Sequence, residues 1–194
     1  MPSAMALTFS GTISDNGTDA RVSSVERTDT PSNSDTWRRS DPDLNFDGQQ
    51  LAEFVEYWNG KRGDRIMPAR RDIDVLELKS HLGRIHIAEL EYEPFRVRYR
   101  LIGSTSTSIV GRDMTGRYFD EIYPPEILTG MHDAYGWVAE NRKPLRGYGS
   151  AVFANKSTYT YESVNLPLSD DGEVVNMVVG EIIYTPTNQG RGAS

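Results

Sequence analysis

Read as a strand, residues 173–184 are apolar on both faces: Val174, Val178 and Ile182 on one, Val175, Met177, Val179 and Ile183 on the other. A strand with one face in water alternates apolar and polar residues, so this one needs a cover on each side. It must run through the middle of a sheet. The helical segment that precedes it supplies one cover. The other is the first helix, a partner subunit, or both.

Four more strands are legible. Residues 84–92 and 95–102 flank a tight Glu93-Pro94 connection and read as an antiparallel hairpin. In the second, Phe95, Val97, Tyr99 and Leu101 alternate with Arg96, Arg98 and Arg100. Residues 147–154 and 158–168 follow later. Asn155-Lys156 and Asp171-Gly172 supply the hairpin turns.

Helices account for the rest. Asp47 and Gln50 have capping-box spacing, with Phe46 and Leu51 placed as a hydrophobic staple. Leu51, Phe54, Val55 and Trp58 then form one stripe at helical spacing, and Gly60 is the expected stop. A short second helix is expected from Asp74 to Gly83, burying Val75, Leu78 and Leu82. Ser104 or Thr105 starts a helix through Val110, and residues 111–116 form a turn. Pro124 and Pro125 open a longer helix with Ile127, Met131, Ala134 or Tyr135, and Val138 inward, ended by Pro144. The order is an α+β arrangement: a five-stranded antiparallel sheet with helices inserted after its second strand.

The aromatics set the boundaries. Of 19 Trp, Phe and Tyr, only Phe9 and Trp37 precede Phe46. Residues 1–45 hold 14 Ser and Thr and only 12 hydrophobic residues, too little apolar surface to offset ordering entropy. They are expected to be a disordered tail, as are residues 186–194. Residues 46–82 form a flanking helical region and 83–185 the main domain.

Composition excludes several chemistries. The absence of cysteine removes disulfides, thiolate nucleophiles and Cys-based metal or flavin sites. A net charge of −7 disfavours nucleic acid and anionic membranes as partners. No apolar run reaches the roughly 20 residues of a membrane span, and no leader is evident, so a cytoplasmic setting is expected. His81 and His86 lack a metal-ligand spacing and read as structural. The loop from Gly111 to Tyr118 has phosphate-loop glycine spacing, but Arg117 and Tyr118 replace the required Lys and Ser/Thr, so it reads as a turn. The Arg-Gly-Asp triplet at residues 62–64 carries no weight. No nucleophile-elbow motif is present. The arginine stripe reads as a solvated face paired across the strand with Glu89 or Glu91.

Trp58, Pro68-Ala-Arg-Arg-Asp-Ile-Asp74, Phe95-Arg-Val-Arg-Tyr-Arg-Leu-Ile-Gly103, Gly111-Arg-Asp-Met-Thr-Gly116, Glu162 to Pro167-Leu168 and Gly172 together resemble the PAS sensor domain. Within it, they are similar to the alphaproteobacterial single-domain PAS proteins; Val75, where proline is expected, departs from that pattern. The resemblance covers about residues 82–184 and implies the sheet order 2-1-5-4-3, counting the five expected strands along the chain.

The residues expected to converge between sheet and helices are Tyr99, Ile109, Met114, Phe119 and Met131, with Tyr135, Phe153, Val164 and Met177. The resemblance implies that a small-molecule ligand, of unknown identity, would lie among them. It also makes His132 a candidate haem ligand. It implies a stand-alone bacterial sensor or adaptor acting in trans on an unidentified signalling protein, and not an enzyme. Homodimerisation is expected through Leu51, Phe54, Val55 and Trp58. The alternatives are a small isomerase-like enzyme, which would need a carboxylate or tyrosine base in the cavity, and a ligand-free dimerisation module.

Overall fold

The computed structural model describes residues 37–187. Residues 1–36 and 188–194, most of the two expected tails, lie outside the described residues. The elements run β1 (Arg38–Asp41), α1 (Gln49–Arg62), β2 (Ile85–Tyr92), β3 (Phe95–Ile102), α2 (Ser104–Val110), α3 (Phe119–Ile122), α4 (Pro125–Asn141), β4 (Leu145–Ala151), β5 (Lys156–Leu168) and β6 (Met177–Pro186).

They build one antiparallel sheet in the order β1-β4-β5-β6-β2-β3. The five strands from β2 onward keep the expected order, with β6 central between β5 and β2. The sixth strand corrects the sequence reading. β1 lies in the stretch assigned to the N-terminal tail and extends the β4 edge, with Arg38 opposite Gly149 and Asp41 opposite Arg146. Pairing needs a glycine at 149. Its φ is +146°, and a Cβ there would stand 2.2 Å from the Trp37 carbonyl oxygen.

Alternation sorts the strand residues onto two faces. One face carries His86, Tyr99, Ser163, Asn165, Ile182 and Tyr184, under α2, α3 and α4. The other carries Ile87, Val164, Leu166, Val179 and Glu181, under α1. The four stripe residues of α1 are buried on their own sheet, from Leu51 at 0% to Val55 at 8% exposed. Burial at ~1.5–3 kcal/mol per large apolar side chain anchors the helix. Trp58 adds a direct bond, its Nε1 donating to the Pro167 carbonyl at 2.9 Å. The cover that β6 requires on this face therefore comes from the chain itself.

Both ends of α1 differ from expectation. Its N-cap is Gly48, with no side-chain cap. Asp47 is drawn instead toward Arg146, 3.3 Å away, while its N–H donates to Glu162. The helix also passes through Gly60 and stops at Gly63, whose φ is +55°. The expected second helix is absent: a short 3-10 turn, Arg70–Asp72, is followed by successive i to i+3 turns through His81. The Asp74 carboxylate accepts from the Leu76 N–H at 2.9 Å, which favours an Asx turn over a helix. Leu78 is buried there, but Leu82 is exposed.

The turn from Gly111 to Gly116 is a connection, as read. The Gly111 and Gly116 N–H groups already donate to the carbonyls of Thr107 and Tyr99. The arginine stripe is paired too. Arg98 bonds Glu89, and Arg96 makes two bonds to Asp120 at 3.0 and 2.9 Å.

Candidate functional site

Between the inner sheet face and α2–α4 lies a cavity of about 60 Å³. Its wall is mostly apolar, with Ile102, Val110, Met114, Met131, Phe153 and Ile182 contributing. Polar groups enter from named strands: His86 from β2, Tyr99 from β3, Ser163 and Asn165 from β5, and Arg38 from β1.

His86 sits at the centre of one network. Its Nε2 is 3.1 Å from the Asn165 Oδ1 and 3.1 Å from the Tyr135 hydroxyl. Gly180 makes room for it, since a Cβ there would come within 2.3 Å of the imidazole. Burial pushes the His86 pKa down to about 4, so the ring is neutral at pH 7. A neutral ring donating from Nε2 to Asn165 leaves the Tyr135 proton free for another acceptor.

Tyrosines form the second network. The Tyr99 and Tyr123 hydroxyls are 2.9 Å apart, with Phe119 packed against both rings. Burial drives Tyr99 well above the ordinary range and Tyr123 to about 12. Tyr135 and Tyr184 are also raised by burial. All four are neutral hydroxyls at physiological pH. At the β1 end, Trp37, Phe153 and Tyr161 stack, with Phe153 and Tyr161 edge to face at 5.0 Å.

Among the described residues, Arg38 is the only charged one in this wall. It is 3% exposed, and one guanidinium nitrogen donates to Ser40. Its other terminal nitrogen is buried with no hydrogen-bond partner, and no carboxylate pairs with it among the described residues.

A family model described as a PAS domain matches residues 47–183. The chain belongs to the PAS domain family. No curated protein and no solved structure matches it significantly. The match takes in α1, which the sequence reading set outside the domain core, and excludes β1.

Within this PAS domain the nine anticipated site residues divide. Tyr99, Met114, Met131, Tyr135 and Phe153 line the cavity. Phe119 is fully buried behind Tyr99 and Tyr135, and Ile109 is part-buried off the wall. Val164 and Met177 are corrections. Val164 pairs with Glu181 and Met177 with Leu168, so both project to the α1 face. Arg38, His86, Tyr123, Ser163 and Asn165 went unanticipated.

The described residues do not fit a haem. The His132 ring meets Phe95 edge-on at 5.7 Å and is not part of the cavity wall. The space is also far below the roughly 300–1,000 Å³ of ordinary ligand pockets.

Glu181 is the buried carboxylate that an enzyme reading would look for. It is 0% exposed, but it faces α1, held by His81 Nδ1 at 2.7 Å and Arg84 Nε at 2.8 Å. Among the described residues, no Asp or Glu lines the cavity. No described helix is long and apolar enough to cross a membrane.

Proposed function

We propose that this PAS domain is a sensor whose inner cavity takes a small molecule and whose α1 reports its occupancy to a partner protein in trans. The observation that carries the reading is the cavity itself: walled by helices, small, and furnished with neutral hydroxyls, a neutral imidazole and one guanidinium. PAS domains serve sensory signalling, and this interior supplies specific donors and acceptors without a carboxylate base.

β5 and β6 connect the two faces. Ser163 and Asn165 meet the cavity, while Val164 and Leu166 between and beyond them support α1. A ligand that favours one geometry of these strands biases the docking of α1 by its differential affinity. Pairing of two copies through Phe54 and Trp58 requires α1 to leave its sheet, so dimerisation by that route belongs to the undocked state.

Native mass spectrometry of the full chain, purified without additives, tests the reading. A discrete non-covalent mass lost on mutating cavity residues is the expected result. A cavity that retains and accepts no molecule in a broad metabolite screen would overturn it.

A further inference from the structure

We propose that the cavity binds a small carboxylate with a short aliphatic tail, and that Arg38 from β1 is its counter-charge. The inference rests on the sensor reading above and names the ligand class. Its starting point is an electrostatic imbalance. Burying an ionised group without a partner costs several kcal/mol, and buried charges in proteins are ordinarily paired. Lysine or histidine can escape by losing a proton; arginine cannot. Arg38 is 3% exposed, with one terminal nitrogen buried and unbonded. An anion in the cavity removes that cost and makes charge-assisted bonds to the guanidinium.

The rest of the wall selects the anion. Ser106, also in the wall, has a buried hydroxyl that faces Tyr184 yet makes no hydrogen bond of ordinary geometry. Tyr135 has a proton to give once His86 bonds Asn165. These are neutral donors suited to a carboxylate oxygen. Val110, Met114, Met131 and Ile182 offer the remaining surface to an alkyl chain. A cavity of about 60 Å³ admits only a short one. One guanidinium neutralises a monoanion; a phosphate dianion would leave charge uncompensated in a low-dielectric space.

The position of Arg38 matters as well. It lies before residue 47, where the family match begins. The charge is therefore a feature that β1 adds to the shared domain, and Gly149 is what lets β1 approach.

Calorimetric titration and thermal denaturation of the full chain test this with sodium butyrate, butyramide, inorganic phosphate and sodium chloride at matched ionic strength. Butyrate is expected to bind and raise the melting temperature, and the other three are not. R38M is expected to melt no lower than the native chain without ligand, because an unpaired buried charge is replaced by an apolar chain. It is expected to lose roughly ten- to a hundredfold in butyrate affinity. R38K keeps the charge without the planar fork and is expected to bind more weakly than the native chain. Undiminished butyrate binding by both variants overturns the proposal, as does equal binding of butyramide or phosphate. Retention of a neutral molecule in native mass spectra would overturn it while leaving the sensor reading intact. An interior that takes nothing sinks both.

Discussion

Two buried charges show how context decides what a residue does. Glu181 is wholly enclosed and bound by His81 and Arg84, so it is satisfied within the chain. Arg38 is nearly as enclosed, yet among the described residues it bonds a neutral hydroxyl, that of Ser40, and no carboxylate. His86 solves the problem by staying neutral, and that has a pH consequence. Its folded pKa is about 4 against 6.5 for the free side chain. Between those values the unfolded chain binds a proton that the folded one refuses. Stability from this group is thus complete above about pH 6.5 and lost as pH falls toward 4, by about 3 kcal/mol in all. The groups facing the ring are Asn165, Tyr135 and Tyr99, none of them charged at these pH values. Urea unfolding of H86Q from pH 4 to 7 is expected to lack this component of the slope; an unchanged slope would place it elsewhere. These polar residues were hard to read in advance. His86 and Asn165 each sit between two apolar neighbours in their strands, and only sheet register brings them together. Glu181 did carry a signal: a carboxylate inside a strand covered on both faces must find a cation.

At the scale of elements, pattern length governed legibility. β3 reads directly because its arginines alternate with apolar residues over the full strand. The slip lies at Leu101, which is half-exposed because a bulge between Ile87 and Ala88 shifts the register. Val164 and Met177 were placed on the wrong face for a related reason. In strands buried on both sides, apolarity does not say which side a residue takes. β1 offered no pattern, being Arg-Arg-Ser-Asp in a Ser/Thr-rich stretch. What identifies it is its partner, where Gly149 leaves the β4 edge open to the backbone of Trp37 and Arg38. G149V puts a side chain into the Trp37 carbonyl at an unfavourable φ, at a cost of about 1–3 kcal/mol. Hydrogen exchange is expected to show β1 released while residues 47–183 stay protected. If β1 remains protected, its pairing does not depend on Gly149.

The whole molecule is a sheet with a different task on each face, and α1 is where its outward behaviour is decided. The stripe in α1 was legible from spacing alone; what it packs against was not, because a self-docked helix and an interface helix show the same periodicity. In this fold the stripe is already spent. Phe54 is 1% and Trp58 3% exposed, and the Trp58 indole holds the Pro167 carbonyl beside the central strands. F54E/W58E therefore buries two carboxylates in apolar surroundings and removes that bond. Each change alone belongs to the class that costs several kcal/mol, against a total stability of about 5–15. The double variant is expected to release α1 or unfold the chain, lowering the melting temperature sharply and exposing the Val164, Leu166 and Val179 face to hydrophobic dye. Analytical ultracentrifugation beside the melt separates the alternatives. A well-folded monomer replacing a native dimer, with no loss of stability, would mean that the stripe faces a second copy and that α1 does not rest on its own sheet. A variant that releases α1, keeps its sheet folded and loses its butyrate response would tie the two faces of the sheet together, since neither substitution touches the cavity.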